Sequence, residues 1–148
     1  MDLSDTTSNI STQINVELTP AESFAAIMLA AVAVDGQIAE VELRNVMTTL
    51  QRTKMFKSEP AESISQTLDH LVKIIKDNDI DVLIELAIPN LPEYLYETIF
   101  AIATDLTITD GAIFNEELNL LSKLSECLSI PEETVDRITQ VMMIKNKG

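Results

Sequence analysis

Cysteine occurs once in this chain, histidine once and tryptophan not at all. A single cysteine excludes an internal disulfide, and one histidine without a cysteine cluster excludes a zinc site of the usual kind. Aromatic residues make up only 4%, so the core has to be built from Leu, Ile, Val, Ala and Met. Three glycines and five prolines are too few for a collagen-like or low-complexity chain. Basic residues are scarce as well: 10 against 24 acidic ones, a formal net charge of -14. Such a charge repels phosphate backbones and excludes direct nucleic-acid binding as the working expectation. It suits cations and basic protein partners, and it equally suits plain solubility. Nothing approaches the run of roughly 20 apolar residues that a membrane helix needs. The start, Met1-Asp2-Leu3-Ser4-Asp5, has neither the basic nor the hydrophobic part of a signal peptide, so a cytoplasmic protein is expected, with no membrane insertion.

What is present is helical periodicity. The 148 residues suffice for one domain with its own core. Residues 1–18, rich in Ser, Thr, Asn and Asp, read as a loose arm before a helical domain over 19–148. Thr19-Pro20-Ala21-Glu22 carries a capping Thr, a first-turn Pro and a Glu placed to complete a capping box. Phe24, Ile27, Met28 and Ala31 then predict a helix over about 20–34, ended by Gly36. A second helix is predicted over about 39–56 on Leu43, Val46, Met47 and Leu50, and a third over about 60–77 on Ile64, Leu68, Leu71 and Ile75. A short fourth lies near 80–88, stopped by Pro89 and Pro92. The fifth runs from Pro92 to about 108, closed by Gly111, and the sixth over about 115–128 on Leu118, Leu121, Leu124 and Leu128. Cys127 falls among these leucines and is expected to be a buried structural thiol. A seventh follows Pro131 with Val135, Ile138, Val141 and Met142, and no segment alternates like a strand. The expected fold is therefore all-α, with seven helices in a single domain.

The two halves repeat one another. Asp35-Gly36-Gln37-Ile38-Ala39-Glu40-Val41-Glu42-Leu43 matches Asp110-Gly111-Ala112-Ile113-Phe114-Asn115-Glu116-Glu117-Leu118 at Asp, Gly, Ile, Glu and Leu. Ser58-x-Pro60-x-Glu62 recurs as Ser129-x-Pro131-x-Glu133, at an offset shorter by about one helical turn. The reading is two three-helix units, about 20–78 and about 92–145, joined by the short fourth helix, with the middle helix of the first unit a turn longer.

The repeated Asp-Gly-x-Ile-x-x-x-Glu matches the second half of an EF-hand calcium loop, in which Gly makes the sharp turn and Glu closes on the ion. The first half is missing, because the two earlier ligands would fall at Ala31 and Ala33, and at Leu106 and Ile108. A weaker site remains if the two turns come together and gather the carboxylates of Asp35, Glu42, Asp110 and Glu117. Oxygen donors of this kind suit calcium, magnesium or manganese. The competing reading is structural: glycines stop helices, and Glu40, Glu42, Glu116 and Glu117 sit near helix N-termini where the macrodipole favours negative charge. Asp35 and Asp110 would then serve local turns.

Helices ending in Ala-Ala-Val-Ala-Val-Asp35-Gly36 and Ile-Ala-Thr-Asp-Leu-Thr-Ile-Thr-Asp110-Gly111, each followed by Ile-x-x-x-Glu-Leu, resemble the tellurite-resistance TerB family. They also resemble the N-terminal domain of a DnaJ-like membrane co-chaperone, and the resemblance spans about residues 20–144. It implies an all-α domain of seven helices, metal-binding acidic residues and a place in a bacterial stress-response assembly with a protein partner. By position the implied ligands are Asp35, Glu42, Asp110 and Glu117, with Glu40 and Glu116 beside them. The chain departs from the pattern at Ala39 and Phe114, where a small polar capping residue belongs.

The remaining residues point less sharply. His70 reads as a solvent-facing helical residue, and Tyr94 and Tyr96 as cover for the core edge or a small aromatic patch. Met142, Met143 and Ile144 read as core, as the packing edge of a homodimer, or as a partner-binding stripe. No Gly-rich phosphate loop, Ser-His-Asp set or paired-histidine helix is present, so an enzyme is not expected. Two functional readings stand: a TerB-like domain that binds a divalent cation through its acidic turns, and a non-catalytic helical adaptor whose acidic turns are purely structural. A carrier of small apolar ligands ranks behind both.

Overall fold

Thr19 opens the first helix with a reciprocal cap. Its Oγ1 accepts from the Glu22 amide at 3.1 Å, and Glu22 Oε1 accepts from the Thr19 amide at 2.8 Å. The computed structural model describes residues 17–33, 37–108 and 115–147, and in it this helix, α1, spans Pro20–Val32. Every residue from Ser23 to Ala31 is buried, so α1 has no solvent face. A helix apolar all round belongs inside a bundle, and the small residues Ala25, Ala26, Ala30 and Ala31 let neighbours approach on several sides.

Those neighbours complete an all-α domain with seven α-helices and no strand among the described residues. They are α2 (Glu40–Gln51), α3 (Ala61–Asp77), α4 (Ile80–Ala87), α5 (Tyr96–Thr107), α6 (Asn115–Cys127) and α7 (Glu132–Lys145). Helix α1 packs against α2, α3, α4, α5 and α6, while α5 packs against α1, α6 and α7. Each of α1 and α5 thus touches the two helices after α1 or α5 that flank it in its own half of the chain. One continuous core results, filled by Phe24, Phe56 and Phe100 and by aliphatic side chains from α1 to α6. The buried hydroxyls of Thr104 and Thr107 return to the Phe100 and Ala103 carbonyls at 2.7 and 2.8 Å, so neither is left unpartnered.

Several sequence expectations change. Helix α1 ends at Val32, where the Ala33 amide is shared between the Leu29 and Ala30 carbonyls at 3.0 and 3.3 Å; Gly36 lies outside the described residues. The second helix stops at Gln51 rather than near 56, and a separate 3₁₀ turn forms at Lys54–Phe56. Continued as an α-helix, the chain would aim Phe56 roughly 120° away from Leu50. The break instead buries Phe56 with its ring 6.4 Å from that of Phe24. At 12 residues against 13 in α6, the middle helix of the first half is not the longer one. Leu118 is 47% exposed and Cys127 is exposed, because the inward stripe of α6 is Leu120, Leu121 and Leu124, continued by Leu128. Both misplaced residues sit roughly 90° from the centre of that stripe. Finally, α7 contributes no fully buried residue, although Val135 and Ile138 lean on the core.

Between α6 and α7 the chain turns through Ser129, the one non-glycine residue at positive φ (55°) among those described. Its amide bonds the Glu126 carbonyl at 3.0 Å and the Ile130 amide bonds the Ser125 carbonyl at 2.9 Å, a Schellman ending with Ile130 buried beneath it. A Cβ in this left-handed conformation costs energy that glycine avoids. Ser129→Gly is therefore expected to raise stability by about 0.5–1 kcal/mol, read as a higher urea midpoint at unchanged m-value. Phe56→Ala is expected to cost about 3–5 kcal/mol in the same measurement, because it empties the site between the 3₁₀ turn and α1.

Candidate functional site

In sequence the Asp-Gly segments directly precede α2 and α6. Asp35, Gly36, Asp110 and Gly111 lie outside the described residues, as do Ile113 and Phe114, so the aspartates of the expected set have no position here. Glu42 and Glu117 are described, each in the first turn of its helix. Ala39 precedes α2 in extended backbone (φ -73°, ψ 153°) and has no side-chain acceptor to offer. Glu42 reaches back instead, and its Oε1 accepts from the Ala39 amide at 2.8 Å. That is one half of a capping box, the half that survives without a polar residue at position 39. One carboxylate oxygen of Glu42 is thereby committed to the backbone.

The neighbouring acids lie in two separate clefts. Glu40, 3.4 Å from Arg44 on an exposed face, lines a shallow cleft between α2 and α3 with Leu68 and Asp69. Glu116 lines another, between α4 and α6, with Asp81, Asn119 and Lys123. There Lys123 Nζ meets Asp81 Oδ1 at 2.9 Å, and this hydrogen bond pulls the lysine above its ordinary pKa. Being raised, the lysine's pKa adds a stabilising contribution that is in place at neutral pH and is lost as pH climbs through the alkaline range. Among the described residues no three His, Cys, Asp or Glu side chains group closely enough to hold a metal ion. The positions where an EF-hand needs its first two ligands, Ala31 and Ala33, and Leu106 and Ile108, are all buried in apolar surroundings.

A larger concave feature lies elsewhere among the described residues. A half-open groove of about 810 Å³ runs between the end of α2, the 3₁₀ turn at Lys54–Phe56 and α5. Phe24, Met55, Leu95 and Ile102 form its apolar floor, and the hydroxyl-bearing Thr49, Thr53 and Thr98 its polar edges. Arg52 and Lys54 stand at one side, Lys145 from the end of α7 at the other, and Tyr94, 84% exposed, at the rim. Lys145 is held by Asp105 at 3.2 Å, and Asn146 Nδ2 donates to the same carboxylate at 2.7 Å. Beyond the groove α7 exposes Val141, Met143 and Ile144. The sequence carries a signal for this site: from Leu43 to Ser58 there is no Asp or Glu, while Arg44, Arg52, Lys54 and Lys57 all fall in that stretch. Of the two tyrosines, Tyr96 packs against the core and Tyr94 does not; His70 is exposed on α3.

The role of Glu42 as a cap is directly testable. Glu42→Ala is expected to cost about 0.5–2 kcal/mol in chemical unfolding, whereas Glu42→Gln, which keeps an acceptor, retains most of the stability. Equal losses for the two would show that charge rather than the hydrogen bond matters.

Among the described residues no helix is long and apolar enough to cross a membrane. Compared with known proteins, the chain matches no family model, no curated protein and no solved structure.

Proposed function

We propose that this chain is a TerB-like helical module of a cytoplasmic stress-response assembly, acting by binding rather than by catalysis. In the first reading it takes a divalent cation (calcium, magnesium or manganese) at the duplicated acidic turns, through Asp35, Glu42, Asp110 and Glu117. The observation that supports this is the likeness of the two helix endings that precede the acidic segments. Ala33 after α1 and Ile108 after α5 cap with nearly the same dihedrals, φ -106°, ψ 36° and φ -101°, ψ 24°. Each shares its amide between the carbonyls three and four residues back. Glu42 and Glu117 each follow those caps by nine positions, in the first turn of α2 and of α6. Two helices that end alike, each followed at the same distance in sequence by a Glu in the next helix's first turn, are the frame a duplicated site requires. Glu42 can offer the ion its uncommitted oxygen, so one-oxygen ligation at that position suits the frame better than the two-oxygen grip of an EF-hand.

A second reading, a non-catalytic adaptor that holds a protein partner, is favoured by the exposed apolar side chains. Tyr94, Val141, Met143 and Ile144 are large hydrophobic residues that the core leaves uncovered.

Thermal unfolding of chelator-stripped protein, with and without each of the three ions, tests the first reading. A cation present at about 100 times its dissociation constant and bound only by the folded state adds about 2.7 kcal/mol, a plain rise in Tm. The rise is expected for one ion and is expected to vanish in Asp35→Asn and Asp110→Asn. No shift with any ion would refute cation binding and leave the acidic turns as helix punctuation.

A further inference from the structure

We propose that the groove between α2, the 3₁₀ turn and α5 is a docking site for an acidic amphipathic segment of a partner protein. The proposal deepens the adaptor reading above and rests on it. Charge complementarity identifies the occupant. In a chain with 24 acidic residues against 10 basic ones, Arg52 and Lys54 form no ion pair with any described residue. Arg44, Lys123, Arg137 and Lys145 each have an acidic partner within 4 Å, and of the six basic residues with no such partner among the described residues, Arg52 and Lys54 are the two that line the groove. Two unpaired cations at the edge of an apolar floor present a place for carboxylates, with Met55, Leu95 and Ile102 beneath for an apolar anchor.

The shape and composition decide between a peptide and a small amphiphile. A compact ligand site buries about 70–90% of its ligand, which calls for a more closed cavity than this half-open groove. Tyr, Arg and Met, enriched where proteins meet, are the residues at its rim and floor: Tyr94, Arg52 and Met55. A second copy of this chain is disfavoured by the mutual repulsion of two bodies of net charge -14.

The test pans the full chain against a random displayed-peptide library and measures the best binder by fluorescence anisotropy. The peptides selected are expected to place Asp or Glu beside Leu, Ile or Phe. The double charge reversal Arg52→Glu with Lys54→Glu is expected to weaken binding at least about tenfold, and binding should fall as salt rises. Arg44→Glu, on α2 but outside the groove, should leave affinity unchanged. Arg52→Gln with Lys54→Gln, on exposed positions, should keep the native Tm and still lose affinity, which separates lost binding from lost fold. An acidic peptide that binds regardless of Arg52 and Lys54 would overturn the groove while leaving the adaptor reading intact. Failure to select any peptide would overturn both, and selective binding of oleate in place of peptides would overturn the proposal in favour of a small amphiphile.

Discussion

The burial of α1 on all sides is the constraint on which the rest of this molecule depends. A helix with no polar face cannot stay in water, and each fully buried Ile, Leu, Met or Phe favours the closed state by roughly 1.5–3 kcal/mol. Closing over Phe24, Ile27, Met28 and Leu29 takes contributions from α2 through α6 and from Phe56. The alanines set how near those elements come, and a methylene added at Ala25 or Ala26 would meet a neighbour at once. Even Ser23, buried among them with no hydrogen-bond partner for its hydroxyl among the described residues, is tolerated because it is scarcely larger than alanine.

That constraint also positions the functional surfaces. Since α1 claims the inner faces of its neighbours, charged chemistry is pushed to the starts of α2 and α6 and to the gap where the 3₁₀ turn leaves α2. The groove exists because the chain had to break at Arg52 to bring Phe56 beneath α1. The same break places Arg52 and Lys54 on the wall of the groove. Core packing and the cationic rim are thus two results of one local event.

Much of the fold was legible in the residues. The Thr19-Pro20-Glu22 start, the stripe of Ile64, Leu68, Leu71 and Ile75, and the punctuation by Pro60, Pro89, Pro92 and Pro131 gave the helices of α1, α3, α4 and α7 within a few residues. The break after Gln51 was not legible, because Arg52, Thr53 and Lys54 carry no proline or glycine; a tertiary contact, Phe56 on Phe24, ends that helix. Leu118 and Cys127 misled for a related reason. Leucine-rich helices offer several stripes of similar slope, and the neighbours choose which one turns inward. Of the candidate cation site, Glu42 and Glu117 could be placed at helix starts. The cap made by Glu42 followed from a general rule, but it was the lack of an acceptor at Ala39 that made the glutamate act alone. The groove was missed because its residues come from four separate stretches of sequence; only the acid-free interval from Leu43 to Ser58 announced it.

Helix α7 has its own dynamic consequence. Its principal packing neighbour is α5, it buries no residue fully, and its end is clasped by Lys145 and Asn146 on Asp105. Opening such a helix exposes little apolar surface, so α7 is expected to detach before the core helices, with amides exchanging ahead of those in α1. Lys145, one wall of the groove, rides on that unit. An occupant that touches this wall binds only molecules in which α7 is closed, so its apparent affinity scales with the closed fraction, and its binding in turn holds α7 in place.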